Sequence, residues 1–92
     1  MNFGKAIEAM KDGKKVSRDG WNGKKMWLAI QKGSTISKDQ ARGGVAKLLA
    51  DEGQESIVIG DHIDMKTADG SICVGWLASQ TDMLAEDWNV VE

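Results

Sequence analysis

The fold class is decided by a stretch in the second half of the chain, which reads His62-Ile63-Asp64-Met65-Lys66-Thr67-Ala68-Asp69-Gly70-Ser71-Ile72-Cys73-Val74. Apolar and polar residues alternate on both sides of Asp69-Gly70, and a period of two is typical of a half-buried β-strand. An Asp-Gly pair tolerates the positive φ values that a tight hairpin turn needs. The stretch therefore predicts an antiparallel β-hairpin.

Further elements can be placed outward from this hairpin. Strands are predicted at Lys15–Arg18, Met26–Ile30, Ser56–Ile59 and Asp87–Val91, and helices at Asn2–Asp12, Lys38–Leu49 and about Ser79–Ala85, with a polar connector over Lys32–Ile36. The helix starts carry residues that cap free backbone N–H groups, and two glycines interrupt the middle helix. The pattern predicts an α+β fold, in which a small antiparallel sheet is joined by an N-terminal helix and one or two further short helices. We expect a single domain over residues 1–92.

Composition excludes several classes of function. The net charge of −2 argues against non-specific binding of DNA or RNA, which requires a surplus of basic residues. No apolar run approaches the roughly 20 residues that span a bilayer, and no signal peptide is visible. The only cysteine, Cys73, allows no intrachain disulfide. We therefore expect a cytoplasmic protein with no cofactor, no metal and no membrane association.

The first candidate site is the turn Arg18-Asp19-Gly20-Trp21-Asn22-Gly23. A tryptophan between glycines can stack on a nucleobase for about 1–3 kcal/mol. Arg18 can hold a phosphate, and the Asn22 amide can bind a base edge or a ribose. The alternative is that Trp21 plugs the end of the sheet while Arg18 forms a surface ion pair. The residues alone leave both interpretations open.

A second candidate is the predicted start of the third helix, Ser79-Gln80-Thr81-Asp82. Free N–H groups at a helix start can bind an anion. Ser79 and Asp82 can equally satisfy that helix end by themselves, and this alternative is the simpler one.

Catalytic chemistry has little support in the sequence. Alternation places Asp61 and Ile63 on one side of a strand and His62 and Asp64 on the other. Together with Lys66, His62 and Asp64 are typical of a solvated or oligomer-contacting face. Cys73 is predicted to be a buried, inert thiol. No phosphate loop or nucleophile elbow is present. The sequence therefore favours a binder over an enzyme.

Three segments together carry a family resemblance: Asn2–Met10, Arg18–Gly23 and His62–Trp88, the last containing Val-Gly-Trp-Leu-Ala-Ser-Gln-Thr-Asp-Met-Leu-Ala-Glu-Asp-Trp. In this order they resemble the Thoeris anti-defence proteins of the second type, a family of phages and prophages. The similarity covers the whole chain and is weak only between Lys32 and Gly60.

The resemblance implies a sponge that binds, without cleaving, a cyclic ADP-ribose-type messenger made by a TIR-domain enzyme in the infected bacterium. It also implies a homotetramer with ligand pockets at protomer interfaces, and cyclic dinucleotides as further ligands of some members. Under it, Trp21, Asn22, Arg18, Ser79, Gln80, Thr81 and Asp82 become expected ligand contacts, with Trp76 as a second stacking face, while Trp27 and Trp88 are expected in the core. An enzyme that degrades the messenger and a protein–protein interaction module are the alternatives.

Overall fold

The computed structural model describes residues 1–92, which form two compact units. The larger unit comprises residues 1–31 and 62–92, and the smaller one comprises residues 32–61. In chain order the elements are α1 Phe3–Lys11, β1 Lys15–Arg18, a 3₁₀ turn Asp19–Trp21, β2 Trp27–Gln31, β3 Ser34–Ser37, a 3₁₀ turn Lys38–Gln40, α2 Gly44–Asp51, β4 Ser56–Ile59, β5 His62–Lys66, β6 Ile72–Cys73, α3 Gln80–Leu84 and β7 Trp88–Val91.

The larger unit is built on an antiparallel sheet with strand order β6-β5-β2-β1-β7. Its hairpin β5–β6 surrounds the Asp69-Gly70 turn, in which Gly70 has φ +92°. Asp69 accepts hydrogen bonds from Thr67 and Ser71, and these bonds lower the pKa of Asp69 to about 2. The predicted α+β fold class and the predicted hairpin are therefore confirmed.

One face of this sheet forms the core with α1. Ala6 and Met10 of α1 are fully buried with Val16, Leu28 and Trp88, which come from three neighbouring strands. The Asn2 side chain accepts a hydrogen bond from the Lys5 N–H at 2.9 Å, and so caps the helix as predicted. Gly13, at φ +88°, supplies the left-handed conformation that follows the helix end.

The smaller unit pairs β3 with β4 and corrects two predictions. Residues 34–37 form a strand rather than a connector. The capping box of Ser37 and Gln40 is present, but it starts only a 3₁₀ turn, and the α-helix begins separately at Gly44, where φ is +61°. The prediction of one helix over 38–49 is wrong because the glycine pair adopts backbone that a continuous helix cannot use.

Two further predictions about burial are wrong. Cys73 is exposed, since β6 is a two-residue strand at the edge of the sheet, where one flank has no neighbour. Trp27 is only half-buried, whereas Trp88 is fully buried as predicted. No helix in the structure is both long enough and apolar enough to cross a membrane.

Candidate ligand-binding site

The turn that carries Trp21 follows directly from the end of β1. Residues 19–21 form a single 3₁₀ turn, after which Asn22 and Gly23 both adopt left-handed backbone with φ of 58° and 67°. Asn tolerates this conformation better than most residues, because its short side chain can bond locally. Asn22 is exposed, and its backbone N–H donates to the Asp19 carbonyl at 3.0 Å.

Arg18 anchors this turn through two carboxylates. Its Nε–H donates to Asp87 Oδ1 and its Nη1–H donates to Asp82 Oδ1, each at 2.8 Å. Asp87 also accepts the Gly20 N–H at 2.8 Å. We call Arg18, Asp82 and Asp87 the arginine clasp. The clasp joins the Arg18–Gly23 turn to the segment that contains Asp82. The Arg18 guanidinium, which was expected to hold a phosphate, is therefore bound to two carboxylates.

The clasp changes the titration of its members. The hydrogen bond to Asp87, followed by that to Asp82, raises the pKa of Arg18. The bonds from Arg18 and Gly20 lower the pKa of Asp87. Burial raises the pKa of Asp82, but the bonds from Arg18 and Ser79 outweigh it, and the net pKa is lowered. The clasp is therefore fully charged at neutral pH.

The start of α3 is satisfied by its own residues. Ser79 Oγ accepts the Asp82 N–H at 3.1 Å, while Asp82 Oδ2 accepts the Ser79 N–H at 3.3 Å. Gln80 and Thr81 are exposed. The Asp82 carboxylate lies in the first turn of α3, and the helix has only five residues. The geometry therefore matches the alternative interpretation, in which Ser79 and Asp82 form a structural cap.

The tryptophans predicted as stacking faces both pack against the buried Trp88. The ring centroid of Trp21 lies 5.4 Å from that of Trp88, and the centroid of Trp76 lies 6.2 Å from it, both edge-to-face. Trp88 is held in turn by its Nε1–H, which donates to the Asp82 carbonyl at 3.0 Å. Trp21 and Trp76 are half-buried, so each combines a packing role with some exposed ring surface.

A cavity of about 440 Å³ opens beside Trp21 in the larger unit. Among the predicted residues, Arg18 and Trp21 line it, whereas Asn22, Trp76 and residues 79–82 do not. Its remaining charged and aromatic lining is Lys15, Asp19, Lys24, Lys25, Lys66 and Trp27. The cavity therefore gathers basic side chains around two indoles.

Strand register accounts for this lining. Val16 pairs with Leu28 on the core face, so Lys15 and Trp27 project from the opposite face, and Trp27 is paired directly with Lys66. The Lys15 ammonium lies 5.3 Å from the Trp27 ring centroid, in cation–π contact. The sequence did not indicate these residues, because a lysine at a strand end looks like any exposed side chain when its cross-strand neighbour is unknown.

The comparisons with known proteins agree with the motifs. A family model described as a Thoeris anti-defense 2-like domain matches residues 1–91. A curated protein of Bacillus phage SP01, named Thoeris anti-defense 2, is 42% identical over 91 residues, which cover 99% of this chain and 94% of that protein. Both matches span nearly the whole chain, and it therefore belongs to the Thoeris anti-defense 2-like family, as its sequence resemblance predicted.

Proposed function

We propose that this protein binds and sequesters, without cleaving, a cyclic nucleotide immune messenger of the host. The messenger class is a cyclic ADP-ribose isomer made by a TIR-domain enzyme, and the proposal extends to cyclic dinucleotides. The observation that carries it is the cavity of about 440 Å³, in which four lysines surround Trp21 and Trp27. Family membership supports it, because the relative from the Bacillus phage is named for action against the Thoeris defence.

The chemistry of the cavity suits such a ligand. Small-molecule sites commonly have volumes of about 300–1,000 Å³. A cyclic ADP-ribose isomer contributes a base, two riboses and a pyrophosphate, so it needs both a stacking surface and cationic donors. Indole rings supply the first at about 1–3 kcal/mol per base. Lysine side chains supply the second, because each offers three N–H donors to phosphate oxygens.

The arrangement of the predicted residues supports a site that extends beyond one chain. Asn22, Trp76, Gln80 and Thr81 lie outside the cavity and keep exposed surface, as expected of residues that meet a ligand at a protomer boundary. We therefore retain the homotetramer with pockets at protomer interfaces as part of the proposal. Native mass spectrometry of the purified protein with and without ligand tests the assembly, and a monomer at micromolar concentration in both cases would contradict it.

The function is tested by calorimetric titration with cyclic ADP-ribose isomers and cyclic dinucleotides, followed by mass spectrometry of the molecules released on heating. Intact, still active messenger supports sequestration. A chemically altered messenger would establish the degrading enzyme instead. If no titrant produced heat or a thermal shift, the protein–protein interaction module would become the better explanation.

A further inference from the structure

Six of the ten lysines of the protein form no ion pair, and four of these six line the cavity. Four lysines elsewhere form ion pairs, Lys5 with Glu8, Lys32 with Asp61, Lys38 with Glu55 and Lys47 with Asp51. None of the four that line the cavity, namely Lys15, Lys24, Lys25 and Lys66, forms an ion pair. In a chain whose net charge is −2, this grouping leaves a local excess of positive charge.

The carboxylates near the cavity neutralise only part of this excess. Asp19, the acidic residue of the lining, accepts a hydrogen bond from the Asn89 side chain. Asp82 and Asp87 are both engaged by Arg18, and this leaves the clasp with a net charge of −1. The four lysine charges exceed the negative charges of Asp19 and of the clasp by two, and a cleft with low-dielectric walls concentrates the field of this excess.

Two of these lysines lie beside one indole. Lys66 is paired in register with Trp27, and the Lys15 ammonium lies 5.3 Å from the Trp27 ring centroid. Lys25 has φ +60°, a conformation that side-chain-bearing residues rarely adopt, and it lines the same cavity. The excess of two positive charges in and beside the cavity matches a ligand with two phosphate groups, each of which carries one negative charge as a diester.

We propose that Lys15, Lys24, Lys25 and Lys66, which line one cavity together with Trp27, form a subsite for two neighbouring phosphate groups, either a pyrophosphate or a pair of phosphodiesters. The subsite deepens the proposed function, on which the identity of its physiological ligand rests. Two sources supply this chemistry, the pyrophosphate of a nucleotide messenger and free inorganic pyrophosphate. The subsite selects its ligand by phosphate number, while Trp21 and Trp27 contact its apolar part.

The test is calorimetric titration of the full chain with inorganic pyrophosphate, inorganic phosphate and a cyclic ADP-ribose isomer. The variants are Lys24→Gln and Lys66→Gln, and the matched control is Lys14→Gln, which removes the same charge from a side chain outside the cavity. Loss of one ammonium near a doubly charged ligand is expected to weaken binding about tenfold. Circular dichroism melting verifies that each variant is folded, and Lys24 is exposed enough to be replaced without affecting packing.

The expected result is that pyrophosphate binds at least tenfold more tightly than phosphate. Both cavity variants should weaken pyrophosphate and messenger alike, the control should weaken neither, and the differences should shrink at high salt. Equal binding of phosphate and pyrophosphate overturns the requirement for two phosphates. Messenger binding that is unchanged in both cavity variants overturns the subsite but leaves sequestration intact. Lysine-dependent binding of pyrophosphate without any binding of messenger supports the subsite and refutes the proposed function.

Discussion

Replacing Trp21 with alanine separates its packing role from its proposed role in ligand binding. The Trp21 ring packs edge-to-face on Trp88 with centroids 5.4 Å apart and also lines the cavity. A fully buried Trp→Ala change costs about 3–5 kcal/mol. Because Trp21 is only half-buried, we expect a loss of about 2 kcal/mol from the free energy of unfolding, roughly half of that range.

This loss leaves the protein folded, since domains of this size have a free energy of unfolding of about 5–14 kcal/mol. The melting temperature should fall by about 8–16 °C. The stacking contribution of about 1–3 kcal/mol is lost as well, so messenger binding should weaken by about 5- to 150-fold.

The assay combines circular dichroism melting with calorimetric titration of a cyclic ADP-ribose isomer. Trp21→Phe keeps an aromatic face and should recover part of both quantities. Leu77→Ala serves as a control for loss of a large apolar side chain, because Leu77 is 93% exposed and lies outside the cavity. Wild-type affinity in a folded Trp21→Ala protein would refute stacking. Complete unfolding would instead place Trp21 in the core and end its assignment to the site.

Four other changes test the fold and the site. Leu28→Ala in the core should reduce the free energy of unfolding by about 2–5 kcal/mol, measured by urea denaturation. Gly33→Ala should destabilise the smaller unit, because the added Cβ would lie 1.8 Å from a backbone oxygen of β4, and hydrogen exchange of β3 and β4 amides would register it. The pKa of Asp87 is lowered by Arg18 in the folded state, so its stabilisation is present above the unfolded pKa of about 3.9 and is lost as pH falls through the folded pKa. Wild type should therefore be more stable than Asp87→Asn at pH 7. In acid melts the difference should begin to shrink near pH 4 and should disappear only below the folded-state pKa; a constant difference would contradict the clasp. Cys73→Ser should leave messenger affinity unchanged in calorimetry, because the thiol is exposed and lies outside the cavity.

Local chemistry was enough to predict most of the larger unit. Asn2 and Gly13 mark the ends of α1, and Asp69-Gly70 marks the turn between β5 and β6. Each signal acts within a few residues, so no knowledge of the rest of the chain was needed. The middle segment was harder, because Gly43 and Gly44 permit several backbone conformations and a capping box is satisfied equally by a 3₁₀ turn.

The candidate site was only partly predictable. The Trp21 turn and the Ser79 cap were found as separate segments, and their connection through Arg18 and Asp82 depends on a pairing between residues 64 positions apart. Asp87 was not singled out, although it holds both Arg18 and Gly20. A lone acid before a strand has no sequence signal that distinguishes an ion-pair partner from a solvated side chain.

By itself the sequence determined the fold class, the family and the positions of the aromatic and capping residues, because these depend on periodicity, on local backbone preference and on motifs contiguous in the chain. Only the tertiary structure decided that Arg18 forms ion pairs with two carboxylates, whereas Lys15, Lys24 and Lys66 form none and line the cavity. Which charges are neutralised depends on distances between residues far apart in the chain, and those distances are set by the register of β1, β2 and β5.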